Sequence, residues 1–250
     1  MAAETSIQVL EGATVDITPT GARGRRRYVY YLASGWIGLV LLLTLIVDLL
    51  PLKGYDVSGD EFRLHPGWRF HEPLGTDKIG RSMLSRLIYG TRASLLLALL
   101  SVAIAMGFAL IIGVTAGYAK GLFGRVFDLV TDAILAFPPI LFLLVLSAVM
   151  RPGFRTLSIS LVVLAFPNLA RVVRANTLTF ASREFILAAR AMGATKRRII
   201  FRELMPNVAL PAMSVSFLSV ANLITAEGSL SFIGRGIPAP TPSLKPPLAP

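Results

Sequence analysis

Apolar residues are concentrated in five long runs, and polar segments rich in glycine, proline and charge separate these runs. The runs cover residues 28–50, 93–118, 127–150, 157–173 and 208–233. Each run reaches the length of about 17–25 residues that an α-helix needs to cross the hydrocarbon core of a bilayer. The pattern therefore predicts an all-α membrane protein with five spanning helices and no strands.

The first run follows several arginines at residues 23–27, as the apolar region of a signal peptide also does. A signal peptide, however, has only about 7–15 apolar residues and ends at a cleavage site with small side chains. This run is about 23 residues long and ends near Asp48 and Pro51. We therefore predict that 28–50 is the first transmembrane helix and that 1–27 is a disordered cytoplasmic tail.

Prolines interrupt three of the later runs, at Pro138 and Pro139 in the third, Pro167 in the fourth and Pro211 in the fifth. A proline inside a spanning helix is tolerated where neighbouring helices satisfy the carbonyl groups that it frees. We therefore expect each run to remain one span. In the second run, small residues permit close approach of another helix, namely Gly107, Gly113 and Gly117.

The polar segments complete the predicted organisation. Residues 51–92 form an extracytoplasmic segment, 93–236 form the membrane core with a cytoplasmic loop at 176–206, and 237–250 form a proline-rich, extended tail. The basic residues before the first run and within the 176–206 loop favour a cytoplasmic N-terminus, because Lys and Arg are enriched in cytoplasmic loops.

Composition excludes several functions. Hydrophobic residues make up 54% of the chain and charged residues 16%, and the net charge of +11 lies in separate loops rather than on one basic face, which argues against nucleic-acid binding. The lack of cysteine excludes disulfides, thiolate metal sites and thiol catalysis. The sequence has no phosphate-binding loop, no Ser-His-Asp arrangement and no zinc-ligand spacing. We therefore predict a non-catalytic chain with no metal site and no cofactor of its own.

Residues 183–207, REFILAARAMGATKRRIIFRELMPN, form a charged helical hairpin between two apolar runs. Phe185, Ala188, Ala189 and Met192 recur at helical spacing on one face, and Gly193 permits a sharp bend after them. We expect a second short helix to start near Thr195, with the basic residues 196–198 exposed and the isoleucines 199 and 200 turned inward. We expect the proline at 206 to close that helix.

The pattern of this hairpin leaves two interpretations open. An amphipathic helix with basic residues can lie on the membrane surface against anionic lipid. Alternatively, the hairpin is an arm that a soluble partner grips. In the second interpretation, the alanines at 188 and 189 let the surface of the partner approach the helix backbone closely.

The hairpin resembles the cytoplasmic loop of bacterial ABC-importer permeases, in which Glu-Ala-Ala is followed at fixed spacing by Gly and by Ile-x-Leu-Pro. Ala188, Ala189, Gly193 and Pro206 match that pattern, whereas position 187 is Leu instead of Glu. Positions 203 and 205 also depart, with Glu and Met in place of Ile and Leu. Residues 72–95 and 224–243 are similar to stretches of the dipeptide, oligopeptide and nickel permeases, with Ser82 where an Asp is usual.

This resemblance implies a type I ABC-importer transmembrane bundle in the bacterial cytoplasmic membrane. Its expected partners are a second homologous permease, two ATP-binding subunits that carry ATP and Mg²⁺, an extracytoplasmic substrate-binding protein and membrane lipid. The expected cargo is peptides or related small solutes such as nickel or haem. The residues expected to dock on the ATPase subunits are Glu184, Phe185, Ala188, Ala189, Met192, Gly193 and Ala194.

Ionisable residues within the apolar runs are costly at membrane depth, by about 2.5–3.5 kcal/mol each. We expect Asp48 to be interfacial, and Asp128 and Asp132 to pair with basic loop residues at a cytoplasmic helix end. Glu227 lies deep in the fifth run, where it either faces the translocation path or makes a packing contact with a Ser, Thr or Asn of a neighbouring helix. The candidate path residues are Glu227, Asn222 and Ser229.

Two further observations bear on the function. After Pro242 and Ser243 the family continues with Trp-Gly and a sixth spanning helix, whereas this sequence reads LKPPLAP, so we expect five helices.

An ion-coupled carrier acting alone is the main alternative, but it predicts inverted repeats and mid-membrane carboxylates. The sequence shows no such repeat, and only Glu227 has that depth. A membrane-embedded assembly subunit without a path is a third hypothesis.

Overall fold

The computed structural model describes residues 22–50, 54, 57, 63–67, 73–119, 121–149 and 153–232. The chain divides into two units, residues 1–46 and 47–250. The first unit contains helix α1, Ala22–Ile46. Residues 22–27 are therefore helical, and the prediction of a disordered tail up to residue 27 is wrong for them, because arginine and alanine favour helix and the helix of the apolar run continues into them. The rest of that predicted tail, 1–21, lies outside the described residues.

The second unit begins with a 3₁₀ turn, Val47–Leu49, and contains the other helices. They are α2 (Met83–Tyr118), α3 (Leu122–Leu135), α4 (Pro139–Val149), α5 (Phe154–Phe180), α6 (Glu184–Ala191), α7 (Lys196–Arg198) and α8 (Met205–Phe232), with a π-helical turn, Ile199–Leu204, between the last two. The described residues contain no strand and only one isolated bridge, between Thr76 and Ser82. The predicted all-α class is confirmed, while the predicted proline-rich tail at 237–250 lies outside the described part of the chain.

Four helical stretches are long and apolar enough to cross a bilayer, namely Arg27–Leu49, Met83–Tyr118, Phe154–Phe180 and Lys196–Phe232. A fifth span is obtained only if α3 and α4 are counted together. These two helices are bent by 87° at the break between them, so the third apolar run forms one span only as a bent pair of helices. A proline disfavours helical geometry in the residue before it, and Pro138 and Pro139 together impose this on two successive residues. Pro139 then starts α4, where its missing N–H costs nothing.

Helix α2 begins ten residues before the apolar run that predicted it, so residues 83–92 of the predicted extracytoplasmic segment are helical. Local hydrogen bonds stabilise the start of α2. The Ser82 hydroxyl accepts from the Ser85 N–H at 3.5 Å. In the preceding turn, the buried Asp77 carboxylate accepts from the N–H groups of Ile79 and Arg81, both at 2.9 Å. Capping and turn residues therefore set this boundary rather than hydropathy.

The core of the second unit lies where α2, α5 and α8 pack together, and small residues determine how closely they approach. A Cβ atom added at Gly113 would lie 2.9 Å from the carbonyl oxygen of Ala170, and one added at Gly117 would lie 2.8 Å from the Cβ of Thr177. The prediction that these glycines permit close helix approach is confirmed for both, but at Gly107 a Cβ would meet nothing within 4 Å.

The proline at 206 does not close the second helix of the hairpin, contrary to the prediction. The helical path continues without a break from Lys196 to Phe232, and Pro206 is the second residue of α8. The π-helical turn before it accommodates the missing N–H, because the Met205 N–H bonds to the carbonyl of Ile200 instead of the usual fourth residue back. The hairpin is thus joined rigidly to the last spanning helix.

Candidate functional site

The arm that joins α5 to α8 comprises residues 181–204, and its first element is α6. The helix ends at a left-handed residue, Gly193, with φ +77°. The N–H groups of Gly193 and Ala194 then bond back to the carbonyls of Arg190 at 2.9 Å and Ala189 at 3.0 Å. A residue with positive φ just beyond the last turn is a common glycine-terminated helix end. The predicted bend is confirmed.

The second element of the arm starts at Thr195, as predicted. Its hydroxyl accepts from the Arg198 N–H at 3.4 Å and caps α7. The three basic residues of α7 are exposed, Ile199 is buried and Ile200 is half-buried. Both the exposed basic face and the inward isoleucines are therefore confirmed.

The face of α6 that packs on the rest of the second unit consists of Ile186 and Ala189, which are both buried. The prediction placed Ala189 among the docking residues, and the structure corrects this, because Ile186 directs the inward side of the helix one residue away from the expected stripe. Ala194 is half-buried against the core. The other predicted docking residues are exposed, namely Glu184, Phe185, Ala188, Met192 and Gly193.

Two features of α6 were not predicted. The Arg190 guanidinium lies 5.1 Å from the centre of the Tyr118 ring, at the end of α2, which holds the arm against that helix. Leu187, the residue at which the sequence departs from the Glu of the motif, is also exposed, but at about 100° per residue it lies on a different side of the helix from Phe185 and Met192. The Met192 residue is 82% exposed. Large apolar side chains exposed on and just after α6, outside the candidate spans, are typical of an interaction surface.

The candidate path residues do not form one site. Glu227 is 1% exposed, and its two carboxylate oxygens accept from the Ser94 and Ser231 hydroxyls, each at 2.9 Å. Its environment in this chain is the packing contact between α2 and α8. Asn222 is exposed, whereas Ser229 is half-buried and donates to the Thr225 carbonyl at 2.9 Å. On a helix with about 100° per residue, Asn222 and Ser229 share a side that Glu227 does not.

The carboxylates of α3 are paired across to α5. Asp128 forms an ion pair with Arg174, and Asp132 forms one with Arg171. The prediction that they pair with basic residues is confirmed, but the partners are helix residues rather than loop residues, because the antiparallel contact of α3 with α5 brings them together. Asp48 likewise pairs with Arg92, at 2.6 Å. The sequence signal for these pairs was the charge itself, since an unpaired charge within an apolar span is costly.

Comparison with known proteins places this arrangement among transporters. Residues 109–245 match the family described as the inner membrane component of binding-protein-dependent transport systems. The chain is 34% identical to a di/tripeptide transport system permease protein of Pseudomonas aeruginosa, over 84% of this chain and 72% of that protein. It is 32% identical to a glutathione transport system permease protein of Pectobacterium atrosepticum, over 87% and 73%. A dipeptide transport system permease protein of Alkalihalophilus pseudofirmus is 32% identical, over 82% and 69%.

Proposed function

Since the chain belongs to the family of inner-membrane permeases of ABC importers, in its dipeptide and oligopeptide branch, we propose that it forms one half of an ATP-driven path for small peptides. It is a multi-pass protein of the cytoplasmic membrane and a non-catalytic membrane component. A second, homologous permease would supply the other half of the path, and an extracytoplasmic substrate-binding protein would deliver the cargo. ATP and Mg²⁺ would bind to two separate ATPase subunits.

The exposed surface of α6 is the observation that carries the coupling proposal. Phe185, Leu187 and Met192 are exposed apolar side chains, and Glu184 and Ala188 lie among them. Large exposed apolar side chains are stabilised when a partner covers them. The small side chain of Ala188 leaves room for a partner to reach the helix backbone. We infer that a groove of each soluble ATPase subunit holds this face.

The connections of the arm explain how a pull on α6 would reach the membrane. Arg190 holds α6 against the end of α2 through the Tyr118 ring, at 5.1 Å. On the other side, the helical path from Lys196 to Phe232 is continuous through the bilayer. A displacement of the arm would therefore move α2 and α8 as rigid bodies. Such coupling requires that the ATP-bound and ATP-free partners bind two arm positions with different affinities.

The proposed cargo is a small peptide. Relatives that carry the names di/tripeptide, dipeptide and glutathione transport permease favour peptides over nickel or haem for this chain. The ion-coupled carrier is the less favoured hypothesis, because binding-protein-dependent systems are the family to which the chain belongs.

Co-purification of the complex tests the coupling proposal. Ala188→Arg places a long charged side chain on the docking face and should remove most of the ATPase subunits from detergent-purified complex, while the two permeases stay together. Lys196→Ala, an exposed change on α7 of the same arm, is the matched control and should retain them. Normal ATPase content and normal peptide uptake in the Ala188→Arg complex would overturn the proposal.

A further inference from the structure

Helix α3 has three distinct sides. Gly124, Phe127 and Thr131 are buried and face the rest of the second unit. A second, wide side is exposed and carries only apolar residues. Its large side chains are Leu129, which is 71% exposed, Phe123, Val126 and Val130. The third side is a narrow charged stripe formed by Arg125, Asp128 and Asp132, which lie within about 60° of one another at about 100° per residue.

Two ion pairs join the charged stripe to α5, and they differ in how exposed their side chains are. In the Asp132–Arg171 pair the side chains are 65% and 53% exposed. In the Asp128–Arg174 pair the Arg174 side chain is only 22% exposed, and its guanidinium lies 5.6 Å from the centre of the Phe127 ring. Arg174 is six residues and Arg171 nine residues before the end of α5, or about 9 and 13 Å along the helix. The more exposed pair, Asp132–Arg171, is therefore the one further from the cytoplasmic end of α5.

Asn168 continues this polar stripe on α5, three residues before Arg171 and therefore nearly one turn further in. Its side chain is exposed, and its amide makes no hydrogen bond to any described residue. It is twelve residues before the end of α5, about 18 Å along the helix. Asn168 lies inside the apolar run 157–173, and polar groups within a spanning segment face a water-filled cavity or another protein surface rather than lipid. The broad apolar side of α3 is the surface suited to contact lipid or a partner helix. We therefore assign the polar stripe to contact with water.

We propose that Asn168, Arg171 and Asp132 form a subsite on the translocation path that binds the charged termini of a peptide. The terminal ammonium pairs with Asp132, the terminal carboxylate accepts from the Arg171 guanidinium, and the Asn168 amide bonds to the peptide backbone. This inference rests on the proposed function, because it requires a peptide cargo.

Peptide binding at this subsite exchanges ion-pair partners instead of breaking ion pairs. When a zwitterion binds, Asp132 and Arg171 each replace one charged partner by another, so no charge is left unpaired. A carboxylate also matches the planar donor geometry of the guanidinium. The site therefore favours molecules with both termini free over molecules with one terminus blocked.

Labelling of single cysteines tests whether the stripe is wet. The chain contains no cysteine, so Asn168→Cys introduces the only thiol into an otherwise cysteine-free complex with both permeases and the ATPase subunits. A permanently charged, water-soluble thiol reagent should modify Asn168→Cys at least about tenfold faster than Leu129→Cys, the control on the apolar side of α3. Equal rates, or faster modification of Leu129→Cys, would overturn the proposal.

Protection by peptides then tests the ligand chemistry in the same complex. An unmodified tripeptide should slow labelling of Asn168→Cys, and the N-acetylated tripeptide at the same concentration should slow it about tenfold less, since one charge-assisted hydrogen bond is lost. Adding Asp132→Asn should abolish the difference between the two peptides, whereas adding Asp128→Asn should preserve it. Absence of protection by either peptide, or loss of the difference in both variants, would overturn the subsite.

Uptake by the unmodified complex separates this inference from the function on which it rests. If the complex imports no peptide into vesicles, the proposed function fails, whatever the labelling shows. If it imports peptides and Asn168→Cys still resists the reagent, only the subsite fails.

Discussion

At the scale of single residues, the spacing between helices depends on positions where a methyl group does or does not fit. Gly113 and Gly107 lie on the same helix, but only Gly113 faces α5 at a distance that excludes a Cβ atom. The sequence shows both glycines and does not tell which one is in the contact, because that depends on the rotation of α2 against a helix more than fifty residues away.

Replacing these two glycines by alanine should therefore have different effects on stability. Gly113→Ala forces α2 away from the Ala170 carbonyl and should destabilise the protein by about 1–3 kcal/mol, the usual cost of overpacking. Gly107→Ala meets open space and should be neutral or slightly stabilising, because alanine favours helix. Thermal unfolding of the two purified variants measures this, and equal stability would contradict the close approach.

Glu227 provides a second test at this scale. The sequence left open whether Glu227 faces the path or makes a packing contact. Its hydrogen bond with Ser94, 133 positions away in the sequence, could not be predicted from local sequence patterns. Glu227→Ala leaves two buried hydroxyls without their acceptor and should destabilise the protein by about 1–3 kcal/mol per unsatisfied group. Glu227→Gln keeps an acceptor and should alter peptide uptake less than twofold. A large change in peptide selectivity with Glu227→Gln would instead favour a role on the path.

At the scale of elements, local signals predicted the hinge of the arm and missed its orientation. Gly193 and Thr195 determine a helix end and a helix start through hydrogen bonds to near neighbours, so the sequence contains that information. Which side of α6 faces inward depends on how Ile186 fits the rest of the unit. The bend between α3 and α4 was underestimated because two adjacent prolines end a helix more strongly than each one does alone.

Substitutions at Gly193 should affect coupling according to how well they tolerate positive φ. A β-branched residue disfavours φ +77°, so Gly193→Val should distort the bend and raise the ATP consumed per peptide imported. Gly193→Asn is the matched control, because asparagine adopts this conformation more readily and space around the position is open. Indistinguishable coupling ratios in both variants would show that the bend does not transmit force.

At the scale of the whole molecule, the apolar runs predicted the class and most of the spans, because a bilayer selects for length and hydropathy along the chain itself. The ion pairs between α3 and α5 could not be predicted in detail, since they depend on the register of two antiparallel helices. The charged stripe that results lies beside a wide apolar side of α3, and the proposed subsite requires that only the stripe faces water.

We propose that the arm lies in the cytoplasm and transmits the motion of ATPase subunits to the spanning helices. Cross-linking from a single cysteine at Met192, the most exposed large apolar side chain of the docking face, tests this in the assembled complex within membranes. We expect a cross-link to an ATPase subunit whose yield changes when ATP binds, and no reaction with an impermeant reagent added to the outside of intact cells. Labelling of Met192→Cys from outside, or a cross-link to no soluble subunit in any nucleotide state, would overturn this proposal.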